Sequence, residues 1–394
     1  MHTLIVGASL GGLRTAQALR GRGWTDKITL LGAEPRPPYD RTPLSKEVLL
    51  GKRSPEQLGL VPARVLQELD LELHLGTSAA GLDPASGTVV LQDGRRVGYD
   101  TLVIATGSVP RSLPGTENLT GLRVLRTVED ALAIKARLVA GTSVVVIGGG
   151  FVGAEVASAA RETGAAVTVV APGPAMMLRV LGPVLGSHMT AVHRKHGVRV
   201  RSSVFVAGVS GQDRVEALTL SDGSCIPADS AVIGIGAVPC TDWLEDSGLR
   251  LRDGVVCDER LRAVGAENIY AVGDVARWRN PRYGELVRVE HWTNAGEQAR
   301  VVAANIAGES AVHDAVPYVW SDQFGVRLQI AGRIGADDAV HYVLGGPETE
   351  RFVALAGHGD RLNAVVARGE VREFLRYRGL LVGNGTWPDD TVER

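Results

Sequence analysis

The sequence contains the same short pattern twice, roughly 140 residues apart. An apolar run at 3–6 leads into a glycine-rich turn and then into a helix predicted over 13–20. A second apolar run at 143–147 leads into another such turn and a helix predicted to end at 161. Because strands that alternate with helices build parallel sheets, the repeated pattern predicts an α/β protein with two Rossmann-like domains.

The second turn matches the spacing G-x-G-x-x-G at Gly148, Gly150 and Gly153. In such turns the first glycine makes the tight bend and the second lets a pyrophosphate approach the backbone. The third lets the helix pack closely on the strand. Free N–H groups at the helix N-terminus then bind the phosphate oxygens. The pattern therefore predicts a dinucleotide site.

The first turn has the same frame, with Gly7, Ser9 and Gly12. Serine at the middle position is small enough to admit a phosphate. The same residues also spell G-x-S-x-G, the nucleophile elbow of serine hydrolases. We reject that reading because an elbow on the first strand leaves no earlier segment to supply an oxyanion hole.

The residue that binds the adenine ribose follows about 20 positions after such a turn and is acidic in NAD sites. Glu34 fits this role after the first turn. After the second turn, Ala171 closes the strand and no carboxylate lies nearby. Arg179 could reach a 2′-phosphate, although an exposed helix arginine is the simpler reading. The preference between NADH and NADPH therefore stays open.

Composition limits the remaining classes. The 394 residues allow several domains, and 42 basic against 44 acidic residues leave no global positive field for nucleic acid or a membrane. Three widely spaced cysteines, Cys225, Cys240 and Cys257, form no redox pair and suit a reducing cytoplasm. We expect neither a signal peptide nor a membrane span, and the histidines at 188, 193 and 196 lack zinc-site spacing, so no metal site is predicted.

Other segments resemble a known family. Ala105-Thr106-Gly107 and Gly273-Asp274 are typical of flavoproteins with two dinucleotide-binding domains. The segment 38–46, Pro-Tyr-Asp-Arg-Thr-Pro-Leu-Ser-Lys, and the segment 320–323, Trp-Ser-Asp-Gln, are more specific. With 290–294, Glu-His-Trp-Thr-Asn, they resemble the ferredoxin reductases that serve haem-thiolate monooxygenases and Rieske dioxygenases.

The resemblance implies that FAD binds the first turn and NADH or NADPH the second. It implies a catalytic group of Lys46, Glu155 and Trp320, in which Lys46 and Glu155 pair beside the flavin; the alternative is two unrelated surface charges. The further cofactor-binding residues that it implies are Gly7, Ser9, Gly12, Glu34, Arg41, Ala105, Thr106, Gly107, Gly148, Gly150, Phe151, Val152, Gly153, Gly273, Asp274, His291 and Trp292.

The implied organisation has three domains. A discontinuous FAD domain covers 1–110 and 237–315, a nicotinamide domain covers 111–236, and a C-terminal α+β domain covers 316–394. Within the last of these, the residue pattern predicts strand over 316–330, a helix over 370–377 and loose order over 384–394. The implied reaction carries electrons from NAD(P)H through FAD to a small acidic iron–sulfur ferredoxin, which would dock on a basic patch. Arginines 36, 41, 64 and 327 are candidates for that patch. The protein would be a monomer or a homodimer.

Three other functions are alternatives to a ferredoxin reductase. An NADH oxidase or an apoptosis-inducing-factor-like flavoprotein would share the same cofactors. A nucleotide-sensing scaffold without catalysis belongs to a different class. A disulfide reductase is disfavoured, because it needs an early cysteine near the flavin and the first cysteine here is Cys225.

Overall fold

A computed structural model describes residues 1–383 and 385–386. The α-helices in this part of the chain are α1 (Leu10–Arg20), α2 (Ala63–Glu68), α3 (Val128–Lys135), α4 (Phe151–Glu162), α5 (Leu178–Lys195), α6 (Trp292–Ile306) and α7 (Val371–Val382). The β-strands are β1 (His2–Val6), β2 (Lys27–Gly32), β3 (Glu72–Leu75), β4 (Ala79–Asp83), β5 (Thr88–Leu91), β6 (Arg96–Gly98), β7 (Thr101–Ile104), β8 (Ser108–Pro110), β9 (Leu122–Val124), β10 (Ser143–Ile147), β11 (Ala166–Ala171), β12 (Arg199–Ser202), β13 (Val206–Ser210), β14 (Ala217–Leu220), β15 (Cys225–Pro227), β16 (Ser230–Ile233), β17 (Ala237–Pro239), β18 (Val255–Cys257), β19 (Ile269–Ala271), β20 (Ala276–Asn280), β21 (Glu285–Val287), β22 (Tyr318–Gln323), β23 (Val326–Gly332), β24 (Ala339–Leu344), β25 (Phe352–His358) and β26 (Arg361–Arg368).

The chain forms two compact units. Unit 1 contains Met1–Asp40, Leu58–Val109 and Val238–Pro317. Unit 2 contains Arg41–Gln57 and Pro110–Ala237, together with the residues from Tyr318 onward. Each unit is therefore assembled from segments that are distant in the sequence.

Unit 1 is built on a parallel sheet with the strand order β19-β7-β1-β2-β3. Its inner strands are apolar and buried on both faces, as parallel strands covered by helices must be. Helix α1 packs against α6. The glycine turn after β1 opens at the carboxyl end of the strands, where ligands of α/β sheets bind.

Unit 2 repeats this design with the parallel order β12-β11-β10-β16-β9. Helix α4 follows β10 and packs on β10 and β11. Helix α5 is broken at Gly182, which has φ of +67°, and Pro183 follows the break. The two parallel sheets confirm the predicted α/β class with two Rossmann-like parts.

The C-terminal part of unit 2 is an antiparallel sheet with the order β22-β23-β26-β25-β24. Helix α7 packs on β26 and β23, which confirms the predicted α+β character. The segment 316–330 was predicted as strand throughout, but a tight turn at Phe324-Gly325 divides it into β22 and β23. Both turn residues have positive φ, as a two-residue hairpin turn requires.

Three helix predictions differ from the structure. Helices α1 and α4 begin inside their glycine turns, at Leu10 and Phe151, rather than after them. The third glycine of each motif therefore lies in the first turn of the helix, where it packs against the carbonyl of the first glycine. Helix α7 runs from Val371 to Val382, beyond the predicted end at 377. Loose order was predicted for 384–394, which lies outside the described residues except for 385–386.

None of the helices in the described part of the chain combines the length and the apolar character needed to cross a membrane.

Candidate functional site

The first glycine turn is shaped by backbone contacts within unit 1. Gly7 has φ of +121°, and a Cβ there would lie 2.1 Å from the carbonyl oxygen of Ala105. A Cβ on Gly12 would lie 2.0 Å from the carbonyl oxygen of Gly7. Both positions therefore require glycine. Ser9 is the extended N-cap of α1, and its side chain makes no capping hydrogen bond, so the first N–H groups of the helix are left for a ligand.

Two carboxylates of unit 1 are held by hydroxyl donors. Tyr39 donates to Glu34 Oε2 at 2.7 Å, just after β2. Ser108 donates at 2.8 Å to Oδ2 of Asp274, which lies in a short 3₁₀ turn. Gly273 in the same turn has φ of +81°, and its N–H donates to the buried Gln298 side chain at 2.7 Å. This turn is thus fixed before any ligand binds.

The remaining residues predicted in unit 1 lie at the ends of its elements. Thr106 donates to the carbonyl of Cys240 at 2.9 Å, and Gly107 has φ of +71°. His291 is the N-cap of α6, and Trp292 is its first residue. Burial lowers the pKa of His291 to about 4, against the raising effect of Asp274, so this imidazole is neutral at physiological pH.

The second glycine turn, in unit 2, repeats the first. A Cβ on Gly148 would lie 2.2 Å from the carbonyl oxygen of Gly234, and a Cβ on Gly153 would lie 2.0 Å from that of Gly148. Gly150, the N-cap of α4, has open space around its Cβ position. This gap above a helix N-terminus fits a pyrophosphate. Phe151 and Val152 form the first turn of that helix.

Lys46 and Glu155 come together in unit 2 although they are 109 positions apart in sequence. Lys46 Nζ lies 3.2 Å from Glu155 Oε1 and 3.6 Å from Asp322 Oδ2. Ser321 donates to Glu155 Oε1 at 2.8 Å, and Ser45 donates to Oε2. Burial raises the pKa of Glu155, whereas Lys46 and the two hydroxyls stabilise its ionised form.

Trp320 lies on β22, next to this cluster in sequence. Its ring stacks on Tyr318 with centroids 6.1 Å apart, and the Arg327 guanidinium lies 5.9 Å from its ring centroid. Arg327 is held in turn by both oxygens of Asp322, at 2.8 and 3.1 Å. Arg41, in the segment that carries Lys46, donates to the carbonyl of Arg126 at 2.7 Å.

Ala171 ends β11 and is buried, and Arg179 is exposed. Strand pairing places Leu31 opposite Val6 and Val170 opposite Ile147. Glu34 of unit 1 therefore corresponds in position to Gly173. Neither Ala171 nor Gly173 carries a carboxylate, which leaves the usual acidic ribose contact without a counterpart in unit 2.

The structure also shows the surroundings of the three cysteines and of His188 from the histidine group. The three cysteines are free. His188 contacts Tyr342 and the carbonyl of Thr349. No group of three metal-binding side chains occurs in 1–383 and 385–386.

Comparisons with known proteins agree with this geometry. Residues 1–299 match the family model described as pyridine nucleotide-disulphide oxidoreductase, and residues 318–392 match that described as reductase C-terminal. The chain belongs to the pyridine nucleotide-disulphide oxidoreductase family. Members of this family and the ferredoxin–NAD(P)⁺ reductases within it use FAD and NAD(P)H.

Individual relatives show to which group within this family the chain is similar. Rhodocoxin reductase of Rhodococcus erythropolis is 37% identical over 97% of this chain and 89% of its own length. The benzene 1,2-dioxygenase system ferredoxin–NAD⁺ reductase subunit of Pseudomonas putida is 37% identical over 95% and 90%. The crystal structure of the covalent putidaredoxin reductase–putidaredoxin complex matches with a TM-score of 0.94 and 34% identity, covering 97% of this chain and 93% of that one. The resemblance to ferredoxin reductases is thereby confirmed.

Several polar residues of the site were missed in the sequence. Ser45, Ser321 and Asp322 surround the Lys46–Glu155 pair, while Ser108 and Gln298 fix the turn at 273–275. Ser45 and Ser321 lie directly beside predicted residues, so adjacency was an available signal. Gln298 had none, because a glutamine within a helix has no distinguishing pattern.

Proposed function

We propose that this chain carries electrons from NADH or NADPH through FAD to a small iron–sulfur ferredoxin that serves a haem-thiolate monooxygenase or a Rieske dioxygenase. The observation that carries the proposal is the ion pair between Lys46 and the buried Glu155, which lies on the helix that begins at the second glycine turn. Support comes from the relatives, since one is named as a reductase of a dioxygenase system and another has been crystallised with putidaredoxin.

In this proposal, unit 1 holds FAD. Gly7 and Gly12 shape the pyrophosphate turn, and α1 offers its first N–H groups beside Ser9. Glu34, fixed by Tyr39, accepts hydrogen bonds from the adenine ribose. Asp274, fixed by Ser108, accepts from the ribityl chain. When bound, FAD takes up a hydride from reduced nicotinamide and releases single electrons to an iron–sulfur cluster.

Unit 2 in this proposal holds the nicotinamide cofactor at Gly148, Gly150 and Gly153. Glu155 and Lys46 orient its reactive end. An ammonium has three N–H donors; two of them face Glu155 and Asp322, and the third remains for a cofactor carbonyl or ring nitrogen. Because Glu155 is buried and the Lys46 side chain is only 12% exposed, the pair limits the access of water to the cofactor's reactive end.

We assign the FAD domain to 1–110 and 237–315, the nicotinamide domain to 111–236 and the C-terminal domain to 316–394. Trp320, backed by Tyr318 and Arg327, belongs with Lys46 and Glu155 to the catalytic group of unit 2, and His291 and Trp292 of unit 1 border the flavin. The acceptor is an acidic ferredoxin that docks on basic surface residues, because complementary charge speeds encounter. A cytoplasmic location suits the three free cysteines.

The test uses the purified protein without oxygen. It should be yellow and should bleach on addition of NADH or NADPH, each tried in parallel. A colourless protein that takes up no FAD would contradict the proposal. Turnover is then compared between a [2Fe–2S] ferredoxin and oxygen alone. Faster turnover with oxygen would instead indicate an NADH oxidase.

A further inference from the structure

A line of buried polar side chains leads away from Glu155 within unit 2. Ser321 Oγ donates to Glu155 Oε1 at 2.8 Å, and Gln323 Nε2 donates to Ser321 Oγ at 2.9 Å. Gln323 Oε1 lies 2.9 Å from His193 Nε2. Ser321, Gln323 and His193 are all 0% exposed. Four side chains from α4, β22 and α5 therefore form one continuous line, and all of them except Glu155 are fully shielded from water.

The chemistry of these groups fixes the direction of every hydrogen bond. Ser321 donates its single hydroxyl proton to Glu155 Oε1. Ser321 must therefore accept from Gln323, whose second N–H faces Met177 Sδ at 3.6 Å. The amide oxygen of Gln323 is left as an acceptor, so His193 must donate to it from Nε2.

The other ring nitrogen agrees with this direction. His193 Nδ1 is buried and has no hydrogen-bond partner among the described residues, as is expected for the nitrogen that lacks the proton. Burial lowers the pKa of His193 to about 4, so the ring is neutral at physiological pH. Phe324 packs against the ring edge-on with centroids 4.9 Å apart, which restricts its rotation.

We propose that His193 and Gln323 are positioning residues that hold the Glu155 carboxylate in one orientation, by a one-way relay of hydrogen bonds through Ser321. This inference rests on the proposed function, in which Glu155 faces the nicotinamide cofactor. The salt bridge to Lys46 alone would not hold the Glu155 carboxylate in one orientation, because the flexible stem of Lys46 allows several geometries. The Ser321 hydroxyl allows few orientations of the carboxylate, because it is itself held in place by the hydrogen bond that it accepts from Gln323.

The experiment compares flavin reduction by NADH and NADPH in anaerobic stopped-flow with the FAD-loaded protein. Ser321→Ala cuts the relay at its last step, and His193→Leu removes its first donor. His193→Gln keeps an N–H donor at a similar reach. The matched control is Ser158→Ala on α4, because Ser158 is also buried and accepts from the Phe324 N–H at 2.7 Å but lies outside the relay.

We expect Ser321→Ala to slow the reduction step about 10-fold, since a ~1 Å misplacement can cost ~100-fold. His193→Leu should slow it less, and His193→Gln should restore it. Nucleotide affinity and flavin content should change little, as for groups that orient rather than bind. Equal slowing by Ser158→Ala, or rates in Ser321→Ala and His193→Leu equal to the parent rate, would overturn the inference.

A second measurement is independent of activity. In ¹⁵N NMR of histidine-labelled protein, the His193 ring is identified by its loss in His193→Gln and should be the Nε2–H tautomer. Gln323→Glu should turn it into an imidazolium at neutral pH, because a carboxylate would replace the amide. An Nδ1–H tautomer would refute the relay. If the unaltered protein is reduced by neither nicotinamide, the proposed function fails, and the tautomer still decides the relay.

Discussion

The two glycine turns have nearly the same backbone and different surroundings. A Cβ on the third glycine would lie 2.0 Å from the first glycine's carbonyl oxygen in both turns. Two residues further along the helix, α1 carries Arg14, which bonds Gln17 at 2.8 Å near the surface. At the corresponding place α4 carries the buried Glu155. In the proposed function, the shared scaffold supplies the phosphate cradle, and the residues beside it distinguish the two sites.

The ribose side differs in the same way. Glu34 follows β2 and is fixed by Tyr39, whereas β11 ends at Ala171 and is followed by Gly173, neither of which carries a carboxylate. In the proposed function, these two similar turns hold the two different cofactors of one reaction.

The third glycine should be indispensable in both turns. Gly12→Ala and Gly153→Ala should each destabilise by more than about 3 kcal/mol, because overpacking of side chains that can yield already costs about 1–3 kcal/mol. Denaturant unfolding measures this, and Gly150→Ala, at an open position, is the control. Gly12→Ala should also lose flavin, whereas Gly153→Ala should keep it and lose reduction by nicotinamide. Equal stabilities of Gly12→Ala and Gly150→Ala would contradict the shared scaffold.

Removal of Lys46 should affect only the second turn. Lys46→Ala leaves a buried carboxylate unpaired and should cost about 3 kcal/mol at pH 7. Burial raises the pKa of Glu155 above its ordinary 4.5, so the folded state binds this proton more tightly and loses stability as pH rises through the folded value. The free energy of unfolding that the variant loses relative to the parent should therefore be smallest below pH 4.5 and should increase as pH rises above it. The control is Arg14→Ala, expected to change stability by less than about 0.5 kcal/mol.

Acidification should weaken both units, and in each unit a histidine whose pKa is lowered by burial should contribute to the loss. The pKa of His291 in unit 1 and that of His193 in unit 2 are both lowered from 6.5 to about 4 by burial. Their contributions are complete above pH 6.5 and are lost as pH falls toward 4, by up to about 3 kcal/mol each at 1.36 kcal/mol per pH unit. The free energies of unfolding of His291→Gln and His193→Gln should therefore depend less on pH across this range than that of the parent protein. A parallel loss in all three proteins would show that other groups dominate.

A carboxylate just after β11 should shift cofactor preference. Gly173→Glu, at the position that corresponds to Glu34, should favour NADH over NADPH by about 10-fold, equal to about 1.4 kcal/mol, because the carboxylate accepts from a ribose 2′-hydroxyl and repels a 2′-phosphate. The ratio of flavin-reduction rates with the two cofactors measures the shift. An unchanged ratio would place the ribose elsewhere.

Exchange of the middle residues should have the smallest effect. Ser9 makes no capping hydrogen bond through its side chain, so Ser9→Gly should change unfolding free energy by less than about 0.5 kcal/mol, since replacement of an N-cap by glycine costs only a few tenths. Flavin content, read from absorbance, should stay at one per chain. A large loss of flavin would mean that the serine hydroxyl binds the cofactor directly.

The sequence by itself determined the fold class and both glycine turns. Local signals were sufficient there, because a tight turn between a buried strand and a helix requires glycine at set spacings. The resemblance then pointed to Lys46 and Glu155, but not to the serines that bond Glu155. The starts of α1 and α4 were placed too late, since the pattern does not distinguish a helical glycine from a loop glycine.

Only the tertiary structure decided which distant groups meet. It joined Lys46 of one segment to Glu155 on α4, to Ser321 and Asp322 on β22, and through Gln323 to His193 on α5. The physical reason is that burial and hydrogen-bond direction belong to the packed chain. A serine or histidine has the same donors and acceptors anywhere in a sequence, and its role is fixed only when its neighbours exclude water and leave one set of partners.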